Sequence, residues 1–377
     1  MKSKKNKLKA IDLFCGCGGI TSGLQSAGFE VLAGLDVEPK YIQTFKHNFP
    51  DTKAMCVDVS TYAPAKLMAD LGLKRGELDL LAGGPPCQGF SKNVPRAVRE
   101  AEAKNNKLIR AFLDYCEQLL PKWIVMENVA EMRNGFDQTF TNEIEARLQD
   151  AGYEVIHDVL NAADYGVPQR RRRAFFIARR DKVSPSHPEA THAAEPEPGS
   201  LFQTRKHVSV WEAISDLPSL KHGESLDPYK YEVKPQSDYQ RAMRNPDGVV
   251  KNHIARKLQP TQYERLASIK PGQGIKDLPD HLRPKSGYSG AYGRLTKDMI
   301  APTITRWVFH PGSGRWGHPV DKRVLSIREV ARIQGFPDSF EFIGSYCDQA
   351  GQLGNAVPPL LAQRLAESII SPLRQQI

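Results

Sequence analysis

Cys87 has the surroundings that ask most plainly for chemistry. It stands in Leu80-Leu-Ala-Gly-Gly-Pro-Pro-Cys-Gln-Gly-Phe-Ser91, after an apolar run and directly behind two prolines. A cysteine in a folded chain is more often inert packing than a nucleophile. Pro85 and Pro86 argue against packing here, because they stiffen the backbone ahead of the thiol and donate no hydrogen bonds. Glu127 and Asn128 close a second apolar run, Trp123-Ile-Val-Met. A carboxylate there is either a functional acid or a solvated neighbour of a helix cap made by Asn128. Gln169-Arg-Arg-Arg-Arg173 then precedes the apolar run Ala174-Phe-Phe-Ile-Ala178. Most charge runs are simply solvated. Strand alternation would point Arg171 and Arg173 to one face, however, where guanidiniums can hold a planar, oxygen-bearing ligand.

A fourth segment, Ile11-Asp-Leu-Phe-Cys-Gly-Cys-Gly-Gly-Ile20, runs from an apolar strand through a glycine turn into a helical pattern. Such a turn lets backbone approach a nucleotide-like ligand at a helix N-terminus. The glycines do not have the spacing of a dinucleotide fingerprint, so the turn alone is weak evidence. Asp36 strengthens it, because an acid ending the second strand can bind ribose hydroxyls. Asp58 ends the third strand in the same way and is either an adenine contact or a cap. An adenosine-bearing cofactor suits this set.

These groups need a scaffold that brings strand ends together. Short apolar runs alternate with helical patterns over the first 180 or so residues, as in a parallel sheet covered by helices on both faces. Strands are expected at 10–14, 30–36, 54–58, 78–82, 123–127, 154–160 and 174–178. Helices are expected at 20–27, 41–48, 108–120 and 141–151. In an open α/β sheet, ligands gather at the carboxyl ends of the strands. Beyond Val183 the chain becomes rich in proline, glycine and basic residues with little periodicity, which marks a domain boundary. Helical patterns return at 326–334 and 360–373. The expected division is 1–183, 184–325 and 326–377, with the last helix packing back on the first domain.

The chain has 377 residues, 40% of them hydrophobic, enough for two domains. Its net charge of +9 favours a polyanionic partner. No apolar run approaches the roughly 20 residues needed to cross a bilayer, and the lysine-rich start lacks the apolar core of a signal peptide. A soluble, intracellular protein is expected. Cys15 and Cys17 lack a second ligand pair at zinc spacing, so no metal is expected, and the six cysteines suit a reducing compartment.

Taken in order, these segments resemble the cytosine-5 DNA methyltransferase family, bacterial restriction-modification type, over about 10–180 and from about 301 to the C-terminus. The resemblance rests on Asp12-Leu-Phe-Cys-Gly-Cys-Gly-Gly, Gly84-Pro-Pro-Cys-Gln-Gly-Phe-Ser, Glu127-Asn-Val, Gln169-Arg-Arg-Arg-Arg, Arg328-Glu-Val-Ala-Arg-Ile-Gln-Gly-Phe-Pro337 and Gly354-Asn-Ala-Val-Pro-Pro359. It implies a Rossmann-like α/β sheet that uses S-adenosyl-L-methionine, with a second, smaller target recognition domain. It also implies Cys87 as nucleophile, Glu127 as acid, and Arg171 and Arg173 as holders of the base. Phe14, Gly16, Gly18, Gly19, Asp36, Asp58, Pro86, Asn355 and Val357 fall at cofactor positions. Asp36 stands where the family more often has Glu.

The implied chemistry is coherent. Cytosine carbon 5 is a poor nucleophile until a thiolate adds at carbon 6, and the base must leave the duplex to be reached. Double-stranded DNA is therefore the expected partner. Gln88, Ser91, Lys92 and Arg96, in a polar loop that could close over the base, are candidate DNA contacts. Arg294 and Arg306, in the variable middle region, are two more. Rival readings are a tRNA cytosine methyltransferase, a catalytically silent DNA-binding regulator of the same fold, and a nicotinamide dehydrogenase. The absence of long regulatory extensions suggests a stand-alone, monomeric enzyme of the cytoplasm and nucleoid, paired with a separately acting restriction endonuclease.

Overall fold

The computed structural model describes residues 7–86, 107–133, 138–196, 204–285, 287 and 289–374. They form two compact units. The first takes Met1–Asn161, Arg172–Glu189 and Leu361–Ile377; the second takes Ala162–Arg171 and Ala190–Leu360. The sequence had offered 183 and 325 as boundaries. Residues 162–171 go with the second unit because their backbone bonds there: Arg170 N–H donates to Ala301 C=O at 2.9 Å, and Ala301 N–H to Pro168 C=O at 3.0 Å.

The first unit alternates β1 (Lys9–Leu13), α1 (Gly19–Ala27), β2 (Glu30–Asp36), α2 (Pro39–Asn48), β3 (Lys53–Cys56), α3 (Pro64–Leu71), β4 (Leu80–Gly83), α4 (Lys107–Leu119), β5 (Trp123–Val129), α5 (Thr139–Asp150), β6 (Glu154–Asn161) and β7 (Arg172–Arg179). Seven strands make one sheet in the order β3-β2-β1-β4-β5-β7-β6. The sheet is parallel through β5, but β7 runs antiparallel to both β5 and β6. The sequence reading gave a parallel sheet without assigning a direction to each strand. A parallel return needs a crossover of a dozen or more residues, usually a helix, and the link between β6 and β7 is shorter than that. The sheet core gathers Ile11, Leu13, Leu35, Leu81, Ile124 and Phe176 with Phe112 and Leu148 from the helices. α3, which begins with Pro64 in its first turn, was not expected.

The second unit has little regular structure, as its composition suggested. It carries α6 (Val210–Ile214), α7 (Asp238–Met243), α8 (Pro260–Ser268), α9 (Ile327–Gln334) and α10 (Tyr346–Asn355), with short two-stranded ladders between them. α11 (Pro359–Arg374) follows, and the first unit takes the chain from Leu361. Every residue of α9 is buried, its two arginines included. Buried charges persist only when paired. Arg332 accordingly meets Asp216 at 3.0 Å and also bonds Asp338. Next to the helix, Arg323 meets Glu329 at 2.7 Å. Burial opposes ionisation of Glu329, yet Arg323 and His318 hold its carboxyl well below the usual range. The Arg328–Pro337 signature therefore supplies the ionic frame of this unit.

Candidate active site

The carboxyl ends of β1, β2, β4 and β5 share one edge of the sheet, because these strands are parallel. β7 is antiparallel and starts at the same edge, where Arg173 pairs in register with Val129. The glycine turn, Asp36, the Gly84-Pro-Pro segment, Glu127 and Arg173 are thus gathered by topology.

At the end of β1, Phe14 takes φ +59°, a left-handed conformation uncommon outside glycine. Gly16 at φ +55° and Gly18 at φ +103° continue the turn into α1. Gly18 has a second constraint: a Cβ there would lie 2.2 Å from the Phe49 ring. Asp36 ties the turn to β2. Its Oδ2 accepts from Gly16 N–H and its Oδ1 from Glu38 N–H, both at 2.9 Å. Burial raises the Asp36 pKa, against the pull of those two amides. Beneath the turn, Asp12 is fully buried and accepts from Thr21 N–H at 3.1 Å and Thr21 Oγ1 at 2.7 Å. Its Oδ1 meets no donor among the described residues, and burial pushes the carboxyl up to about 7. Cys15 and Cys17 are buried thiols whose pKa burial likewise raises.

These residues fit an adenosine-bearing, positively charged cofactor. A Cβ added at Gly16 would meet nothing within 4 Å among the described residues, so the turn presents an open face to them. Asp36 stands beside it. Val37, 66% exposed directly after Asp36, offers an apolar surface for a purine ring. The sequence reading missed Val37, although an apolar residue straight after a strand-end acid was a usable signal. Asp58 is exposed, and its Oδ1 accepts from Ser60 N–H at 2.8 Å and Ser60 Oγ at 2.7 Å. That is an Asx turn and not a helix cap, since α3 has Ala63 at its N-cap, and it leaves the other carboxylate oxygen without a partner among the described residues. Gly19 is the first residue of α1, and Pro86 is exposed just beyond β4.

The catalytic candidates meet at the ends of β4, β5 and β7. Glu127 Oε1 lies 2.9 Å from Arg173 Nε, and both side chains are mostly buried. A Cβ on Gly84 would come within 3.1 Å of Glu127 Oε2, so the glycine keeps space beside the carboxylate. Asn128 is buried and caps no helix. Its Nδ2 donates to Pro85 C=O at 3.0 Å, and its Oδ1 accepts from Val129 N–H at 2.8 Å. Asn128 therefore pins the Pro-Pro segment, a role the sequence reading did not assign.

Residues 8–371 match the family of C-5 cytosine-specific DNA methylases. The chain belongs to this family. It is similar to the type II methyltransferase M1.HphI of Haemophilus parahaemolyticus, 34% identical over 96% of this chain and 87% of the relative. It is also similar to M.DdeI of Desulfomicrobium norvegicum, 34% identical over 96% of this chain and 88% of that one. Among solved structures, a prophage-encoded E. coli protein described as a DNA modification methyltransferase superposes with a TM-score of 0.76, at 23% identity over 98% of this chain and all of the other. Spodoptera frugiperda DNMT2 superposes at 0.60, with 18% identity over 97% of this chain and all of the other. The two superpositions establish the shared methyltransferase fold.

Cys87, Gln88, Ser91, Lys92 and Arg96 lie outside the described residues. Two arginines have other work than expected. Arg171 precedes β7, which begins at Arg172, so alternation does not align it with Arg173. Its buried guanidinium donates to the carbonyls of Ile304 and Gly354, each at 3.0 Å. Arg294, expected to contact DNA, is also buried, and it donates to the carbonyls of Ile269, His318, Val320 and Asp321 at 2.8–3.2 Å. Both hold backbone together. Gln169 adds to the first of these clamps, since its Oε1 accepts from Ile304 N–H at 2.8 Å and its amide donates to Gln334. Gln334 in turn donates to Ala356 C=O at 2.7 Å. Arg306, the other arginine offered in the middle region, is exposed. Asn355 is exposed at the end of α10, whereas Val357 is buried.

Proposed function

We propose that the chain methylates carbon 5 of cytosine in double-stranded DNA, through a covalent adduct on Cys87, with S-adenosyl-L-methionine as methyl donor. The observation that carries this reading is the Glu127–Arg173 pair, an acid and a guanidinium on adjacent strands at the sheet edge that also bears the glycine turn. Cytosine offers two groups that match it, ring nitrogen 3 and the carbonyl oxygen beside it.

The target base leaves the stack to reach the site. The Cys87 thiolate adds to carbon 6, and the electron pair displaced into the ring is drawn toward nitrogen 3. Glu127 exchanges a proton with that nitrogen. Arg173 can bond the carbonyl oxygen, because Glu127 and the Arg172 carbonyl engage only part of its five donors. The cofactor, when bound, supplies an electrophilic sulfonium methyl for carbon 5. The Gly16–Gly19 turn, Asp36 and Val37 are the residues that would hold it. Loss of the carbon 5 proton to a base and departure of Cys87 restore the aromatic ring. The same reading places the enzyme in the cytoplasm on nucleoid DNA, beside a separately acting restriction endonuclease. Among the described residues no helix is long and apolar enough to cross a membrane.

The test is a duplex with 5-fluorocytosine at the methylated position, which blocks the final elimination. A covalent complex should form only with cofactor present and should map to Cys87. No adduct with an active preparation, or an adduct at another side chain, would overturn the mechanism. Bisulfite sequencing of DNA from cells expressing the chain identifies the site to use.

A further inference from the structure

Trp307 is 52% exposed, although nothing in the second unit's own packing asks for an indole on its surface. Its setting is built. The Arg306 guanidinium lies over the indole at 5.1 Å, and the Phe309 ring stands 5.7 Å away at a tilt of 47°. Arg256 lies over Phe309 at 4.7 Å and donates to its carbonyl at 3.0 Å. Among the described residues no carboxylate forms an ion pair with Arg306 or Arg256, so both keep their charge for an outside partner. The backbone beneath is fixed. Ile304 is held by Gln169 and Arg171, and Gly354 approaches so closely that a Cβ there would stand 2.1 Å from Arg306 N.

An aromatic pair with one unpaired cation on each ring suits a ligand with flat apolar faces and a negative backbone. Nucleic acid has both. We infer that Trp307 stacks on a nucleobase whose face is opened when the target cytosine leaves the duplex, with Arg306 reaching the adjoining phosphate. This rests on the methyltransferase reading and adds to it a contact that works through stacking rather than charge. An indole stacks on any base, so the contact strengthens binding without reading sequence by itself. The exposed indole also explains why a rigid, doubly anchored loop carries it: a stacking residue loses less entropy on binding when its backbone is already ordered.

The experiment compares the wild type with Trp307→Ala, Trp307→Phe and Arg306→Ala on a duplex carrying the site methylated in cells. Affinity is measured with S-adenosylhomocysteine bound, across a salt series. Trp307→Ala should bind the duplex about tenfold or more weakly with an unchanged salt slope, because no phosphate contact is lost. Trp307→Phe should stay within a few-fold of wild type. Arg306→Ala should lower the salt slope by about one. All three should keep the thermal shift given by S-adenosylhomocysteine, which shows an intact fold and cofactor site. Unchanged affinity and methyl transfer in Trp307→Ala would overturn the inference alone, as would a loss that tracks the salt slope. Failure of the wild type to methylate any duplex would overturn the underlying function instead.

Discussion

Glu127 and Arg173 face each other across the β5–β7 pair, Oε1 to Nε at 2.9 Å, although the two residues come from opposite ends of antiparallel strands. An antiparallel β7 is what makes this meeting possible, because it delivers the start of one strand to the carboxyl end of another. The pair acts as a unit on one ring. Glu127→Gln should slow methyl transfer by roughly 100- to 10,000-fold, and Arg173→Ala by about 100- to 1,000-fold. The double variant should be far less impaired than the product of the two. Single-turnover transfer of labelled methyl groups to DNA measures all three. Full multiplicativity would mean that the residues serve separate steps.

Arg171 and Arg173 should part company under substitution. Arg171→Ala leaves two buried carbonyls without their donor and should cost about 2–4 kcal/mol of stability, seen as a lowered thermal midpoint. Arg173→Lys keeps a cation beside the mostly buried Glu127 and should stay within about 1 kcal/mol of wild-type stability while suppressing turnover. If Arg171→Ala folds with wild-type stability and fails only in catalysis, the base-holding role first read for Arg171 is restored.

The contrast between these arginines shows how far the sequence could be read. Glu127, Asp36 and the glycine turn were legible because strand-end acids and positive-φ glycines leave local marks in the chain. Asp12 through Ala178 also gave most of the sheet, since buried strands read as apolar runs. Arg171 was not legible. Its alternation with Arg173 depends on where β7 begins, and pairing of Arg172 with Asn161 fixes that point. Arg294 was hidden for another reason: its partners are backbone carbonyls from residues 269 to 321, and a carbonyl has no side-chain identity to recognise. The direction of β7 was not legible, because a strand's pattern of burial is the same whichever way it runs.

Gly354 is fixed by a close approach that permits no side chain. A Cβ would stand 2.1 Å from Arg306 N and 2.3 Å from the Thr305 carbonyl carbon, and neither backbone atom can swing aside as a side chain would. Gly354→Ala should therefore destabilise the second unit by about 1–3 kcal/mol or more, despite alanine's better helix propensity. Urea unfolding with tryptophan fluorescence reports it directly, since Trp307 follows the displaced segment in the chain. A variant as stable as wild type would show that the 303–306 segment shifts without cost.

Asp12 makes stability depend on pH in an unusual direction for a carboxylate. Burial raises its pKa from 3.8 to about 7, so between those values the folded state holds a proton that the unfolded chain has released. Stability then falls as pH rises through this window, by about 4 kcal/mol over its whole span for this one group. Asp12→Asn keeps an oxygen to accept from Thr21 N–H and Oγ1 but has no proton to lose. The variant should match or trail the wild type near the acid end of the window and gain on it steadily toward about pH 8. Paired urea titrations at several pH values isolate the effect, because the other carboxylates titrate in both proteins and cancel in the difference. A difference in stability that stays flat across the window would mean that Asp12 is ionised in the folded protein throughout, with a cation or water on its Oδ1.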